Sequence, residues 1–196
     1  MRIKISPGNQ KLGDIPNISL APIYSCPTAP CNRYCYAVRI YHRGNTTRRA
    51  WKSNLDFYKE NPINFFFELR SWLTVKSPTE FRWHVGGDIP DYHYFWNMLH
   101  IAREFPNIKF LAFTKRYLYI KHKYYTSIPK NLTLIFSVWP GWKMPRTTRP
   151  KAFILGDRRA KNYIKCVGRC DRCYKCFNLS ELKKNVLLQP IAHYKP

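Results

Sequence analysis

Phe81-Arg82-Trp83-His84-Val85-Gly86-Gly87-Asp88 is a short β-favouring run that breaks into a glycine pair and an acid. The same punctuation recurs down the chain. Ile108 to Phe113 ends at Thr114-Lys115, Leu132 to Val138 ends beyond Ser137, and Ala152 to Leu155 ends at Gly156-Asp157. Between these runs the apolar period changes to that of a helix. Asp91 stands as a cap before Phe95, Leu99 and Ala102, and a basic-aromatic helix from Arg116 to Tyr125 should stop before Pro129. Upstream, Trp51, Leu55 and Tyr58 share one helix face. Asn61-Pro62 reads as an N-cap and first helical position for Phe66, Leu69 and Leu73. Ile18 to Tyr24 reads as the first strand, and residues 1–17 as a turn-rich lead-in loop.

Strands separated by helices imply βαβ units and a parallel sheet. The strands are near-continuously apolar, as expected when both faces are covered. They are too few for a closed eight-fold barrel, and the length also suits an open sheet. The fold class expected is α/β: a partial (βα) barrel of about five to six mostly parallel strands over residues 1–160. Residues 161–196 form a cysteine-rich, cluster-binding extension packed on that core, with a short helix near Ser180 to Lys184. In such folds, polar groups just past the strand ends converge on one face.

The chain carries 34 basic and 11 acidic residues, a net charge of +23. Self-repulsion of that size is explained by a polyanionic partner, so nucleic acid, RNA or DNA, is the expected contact. No run approaches the ~18 consecutive apolar residues of a membrane span, and the first residues lack the apolar stretch of a signal peptide. A cytoplasmic location is therefore expected.

Seven cysteines cannot all pair as disulfides, and they fall into two groups with none between, which reads as metal binding. Cys26, Cys31 and Cys35 lie on one loop with spacing C-x4-C-x3-C. Three readings fit them: a 4Fe–4S cluster with one iron open, zinc completed by a residue such as His42 or His84, or buried free thiols. Cys166, Cys170, Cys173 and Cys176 supply four thiolates, which close a second 4Fe–4S cluster or a zinc site. The first three of these follow C-x3-C-x2-C. However, Arg172 replaces an aromatic, and no strand is expected immediately before the run.

A strand, a three-cysteine loop with Tyr34 before the third cysteine, and the Gly86-Gly87-Asp88 turn resemble the radical S-adenosylmethionine enzymes. That resemblance implies that Cys26, Cys31 and Cys35 hold the cluster and that Gly86, Gly87 and Asp88 contact the methionine amino group. The open iron would chelate the methionine, and reductive cleavage would make a 5′-deoxyadenosyl radical, with a flavodoxin or ferredoxin as reductant. Each cysteine gap here is one residue longer than the usual motif, and Asp88 stands where Glu is usual. Gly8-Asn9-Gln10-Lys11-Leu12-Gly13 and Cys35-Tyr36-Ala37 look more narrowly like the phage and plasmid gene product 88 family.

Asp88, Asp91 and Lys115 are the candidate catalytic groups, with Thr114 and Ser137 beside Gly86, Gly87 and Asp88 as candidate cofactor contacts. Asp91 has helix capping as its plainer role. Basic residues interleaved with aromatics give the candidate nucleic-acid contacts: Arg39, Arg43, Arg48, Arg49, Lys52, Trp142, Lys143, Arg146 and Arg149. The function expected is radical chemistry on nucleic acid or a nucleotide. Its rivals are a non-catalytic zinc or iron–sulfur binding module, and a cluster enzyme using another ligand.

Overall fold

A computed structural model describes residues 2–27, 30–117, 127–143, 146–179 and 183–188. Eight strands are present among the described residues: β1 (Ile5–Ser6), β2 (Asn17–Ile18), β3 (Glu80–Trp83), β4 (Lys109–Thr114), β5 (Leu132–Ser137), β6 (Lys151–Phe153), β7 (Tyr163–Lys165) and β8 (Asn185–Leu187). They form one sheet in the order β1-β2-β3-β4-β5-β6-β8-β7. The β1–β2 pair is antiparallel and every other pair is parallel.

The sheet is open, with β1 and β7 as its edges. The expected five or six strands are corrected to eight. The nearly sequential strand order is that of an unrolled barrel, which is why the sequence pattern resembles one.

Helices α1 (Tyr36–Arg43), α2 (Asn45–Glu60), α3 (Pro62–Lys76) and α4 (Tyr92–Glu104) account for the long regular segments. The side chain of Asn61 caps α3 by accepting from the Asn64 amide at 3.0 Å, and Pro62 fills its first turn. Leu55 and Tyr58 of α2, Phe65, Phe66 and Leu69 of α3, and Tyr94 and Leu99 of α4 bury one sheet face against Phe81, Trp83, Phe110, Leu134 and Phe136. Strand alternation sends Leu111 and Ile135 to the other face. There they meet Leu12, Ile15, Phe177 and Leu179, from the two ends of the chain. The C-terminal segment thus does more than pack on the core: it adds two strands and covers a face.

Two local expectations change. The lead-in loop contains β1. The apolar run from Ile18 to Tyr24 pairs as a strand only at Asn17–Ile18, because Pro22 has no amide to donate and Ile23 takes a left-handed backbone (φ 73°). The helices expected over 116–125 and 180–184 lie largely outside the described residues. Among the described residues, no helix is long and apolar enough to cross a membrane.

Candidate functional site

Ser25 fixes where the first cysteine loop starts. Its hydroxyl donates to the Ala21 carbonyl at 2.8 Å and accepts the Asp88 amide at 3.2 Å. Its carbonyl accepts from Arg116 at 3.0 Å. Cys26 follows directly, Cys31 sits in a 3-10 turn over Pro30–Tyr34, and Cys35 is the N-cap residue of α1. Cys31 packs with Trp139 and Ile154, which lie beyond the C-terminal ends of β5 and β6. The loop is therefore seated across several strand ends.

A cavity of about 190 Å³ opens there. Cys26, Cys31 and Cys35 line it, and so do Cys166, Cys170 and Cys176 from the second group. Gly87, Asp88, Lys115 and Ser137, each just past a strand or at its end, complete the wall with Arg82, His84 and Tyr36. All seven cysteines are free thiols. Among the described residues, no three His, Cys, Asp or Glu side chains stand in the close arrangement of a single metal ion.

Burial dominates the electrostatics. It pushes the Cys26 thiol up to about 11, with Asp88 adding to the effect, and it also raises Cys31. Burial would lower Lys115, but Cys31, Asp88, Cys26 and Cys35 around it carry its ammonium above the ordinary value, and it donates to the Cys31 sulfur. Lys115 is thus a cation held against three thiols. Across the cavity, burial raises Cys170, and Cys176 up to about 12, while the Arg82 guanidinium draws both down. Lys11 adds to that pull on Cys170.

The second group sits on the far-face layer. β7 ends at Lys165, so a strand does directly precede Cys166, contrary to the sequence expectation. β7 was not read from sequence because it has three residues with none fully buried. Cys170 to Cys173 form the single turn α5, and left-handed Tyr174 redirects the chain to Cys176. The Cys166 amide donates to Leu187 O at 2.8 Å and the Cys170 amide to Lys11 O at 2.7 Å. Cys173 joins the other three around a second, smaller cavity of about 20 Å³.

Asp88 is buried, and its carboxylate is heavily engaged. Oδ1 accepts from Thr114 Oγ1 and the Ile89 amide, both at 2.7 Å, and Oδ2 accepts the Lys115 amide at 2.8 Å. It locks the end of β3 to the end of β4, which is also the role of Thr114. Burial raises its carboxyl against the pull of Lys115. Gly86 is buried beneath the Trp51 ring, where a Cβ would lie 2.3 Å from that ring. Gly87 has φ +83°, and a Cβ there would lie 2.7 Å from the Leu20 carbonyl oxygen. Gly87→Ala is expected to cost about 2–3 kcal/mol, from left-handed strain plus that backbone clash. A lowered urea midpoint checks this; an unchanged one would show that the turn yields.

Asp91 is not brought to the cavity. It caps α4 through the Tyr94 amide at 2.8 Å and accepts the Tyr58 hydroxyl at 2.6 Å. Of the basic candidates, Arg43, Arg48 and Arg49 are exposed on α1 and α2, while Arg39 is half-buried. Lys52 is exposed and pairs with Asp56 at 2.5 Å. Lys143 and Arg146 are exposed and Arg149 is half-buried. Trp142 faces inward, its ring 5.6 Å from that of Tyr117. Arg159 holds its loop by donating to the carbonyls of Trp139 and Trp142 at 2.8 and 2.9 Å.

Arg82 and Tyr36 were missed as site residues. Arg82 lies 4.3 Å over the Phe113 ring, and Tyr36 donates its hydroxyl to Val85 O at 2.5 Å. An arginine within an apolar strand was the available signal.

A protein-family model described as gene product 88 matches residues 4–140, well over half of the 196-residue chain. The first cysteine group lies inside that match and the second lies beyond it. No curated protein and no solved structure matches the chain.

Proposed function

The chain belongs to the gene product 88 family, and from that premise we propose that it is an iron–sulfur protein of radical S-adenosylmethionine type acting on nucleic acid or a nucleotide. The observation that carries this reading is the shared cavity: three thiols of one irregular loop meet the strand ends on one wall, with Lys115 among them. The donor set fits a cluster. Burial makes each lone thiolate costly, and metal binding offsets that cost by replacing the thiol protons. A cluster also spreads its ligands over several irons, so the thiols need not crowd around one ion.

In this reading Cys26, Cys31 and Cys35 are the ligands of the open cluster, and Cys166, Cys170, Cys173 and Cys176 hold a second cluster or zinc. When bound, such a cluster would supply one-electron reduction, fed by a flavodoxin or ferredoxin, by which S-adenosylmethionine would be cleaved to methionine and a 5′-deoxyadenosyl radical. Gly87 lets backbone approach that cofactor, Ser137 and Asp88 border it, and Lys115 balances the anionic thiolates. Gly86 and Thr114 act by holding this wall in place, and Asp91 acts by capping α4. Arg43, Arg48 and Arg49 on α1 and α2, with Lys143 and Arg146, supply phosphate contacts.

The test is anaerobic reconstitution with iron and sulfide, a count of iron, sulfide and zinc, and then addition of dithionite and S-adenosylmethionine. Release of 5′-deoxyadenosine is the expected result. An intact cluster that releases none would leave a cluster protein with another ligand, and zinc without iron would leave a binding module.

A further inference from the structure

Next to the cysteine cavity lies a groove of about 610 Å³, within the usual size of small-molecule clefts. The two share the wall formed by Lys11, Tyr36, Arg82 and Val85. Lys4, Lys11 and Arg82 line the groove, and no Asp or Glu does. Trp51 supplies an aromatic surface beside that of Tyr36. Three cations without a carboxylate favour an anion, and flat aromatic walls favour a planar ring.

Asn17 makes the argument independent of surface charge. It is 3% exposed and lines the groove as the cross-strand partner of Arg82. Alternation along β2 sends Ile18 to the helical core, so Asn17 takes the other face with Arg82. Its Oδ1 accepts from Ser19 at 3.4 Å, but its Nδ2 is buried with no partner. A buried donor left unpaired costs about 1–3 kcal/mol unless something accepts from it. An acceptor-rich ligand would satisfy it.

We propose that this groove binds one phosphate-bearing nucleotide unit, with Asn17 and Arg82 as donors and the Tyr36 and Trp51 rings against the base. It extends the proposed function by naming the substrate unit, and it rests on that reading only for what becomes of the nucleotide. A ligand seated there abuts the cysteine cavity across the shared wall.

The experiment is calorimetric titration of the purified chain with the four ribonucleoside 5′-monophosphates, with the unphosphorylated nucleosides and inorganic phosphate as controls. At least one monophosphate should bind roughly tenfold or more tightly than its nucleoside and than phosphate alone. Asn17→Ala should weaken that binding by about tenfold. Thr47→Trp, which fills the groove from the half-exposed face of α2, should abolish it and keeps the test valid if Asn17→Ala does not fold. Equal binding of nucleoside and nucleotide, or no loss in Thr47→Trp, overturns the proposal. Nucleotide binding without iron uptake would defeat the proposed function alone; 5′-deoxyadenosine release without nucleotide binding would defeat this inference alone.

Discussion

Replacing Cys26, Cys31 and Cys35 together by alanine is expected to remove one cluster's iron and sulfide and all release of 5′-deoxyadenosine. With iron in both groups, about half the metal should remain. The three thiols share one cavity wall, so no neighbouring cysteine of that loop can substitute. The opposite wall already needs Cys166, Cys170 and Cys176 for itself. Replacing Cys170, Cys173 and Cys176 should remove the complementary half. The fold should survive the first change, because only Cys31 of the three is buried in a packed cluster, with Trp139 and Ile154. Circular dichroism checks that point. Full iron content in the first variant would remove this loop from the metal chemistry.

Acid is expected to destabilise the protein through His84. Its Nε2 lies 3.1 Å from the Tyr94 hydroxyl, its Nδ1 is buried without a partner, and its backbone is left-handed at φ 53°. Burial, with the Arg82 charge adding to it, lowers its pKa from 6.5 to about 3. Unfolded, the imidazole protonates near 6.5; folded, it stays neutral down to about 3. Between those values the unfolded chain binds more protons, so the stability present above pH 6.5 is lost as pH falls toward 3. The loss attributable to this group is on the order of 4–5 kcal/mol across the window. His84→Asn keeps a residue that tolerates left-handed backbone and removes the titration. Urea midpoints at pH 7, 5 and 4 should fall more steeply for the parent than for this variant. Parallel slopes would show that another group carries the acid sensitivity.

The helical layer was legible because it is long and periodic. Trp51, Leu55 and Tyr58, the Asn61-Pro62 start and the Asp91 cap all stand where the spacing puts them. So do β3, β4 and β5, whose runs are apolar and bounded by turns. β1, β7 and β8 were not legible, since two or three residues carry no period, and β2 was placed at Ile18 but read too long. Tertiary pairing fixes them instead, as when the Arg82 amide reaches back to Pro16 O at 2.9 Å. The cysteines were visible as two groups, but their meeting around one cavity was not. It depends on the far-face layer, where Gly13 lies against Asp171 and Lys11 receives the Cys170 amide. Arg82 reaches the second group, in the cavity both groups line, because β3 projects it to the far face.

The swap at the end of the sheet sets an order of assembly. Among the described residues β7 bonds to no strand but β8, and β8 leaves the ribosome after the whole Cys166–Cys176 run has been made. The nascent chain can dock its first cysteine loop as soon as β3 to β6 are paired. Its second cysteine group has no strand to join until β8 slots in beside β6. Domain formation during synthesis therefore runs from the first thiol loop to the second. Closure of the shared cavity, and any metal loading that needs both of its walls, waits for β8.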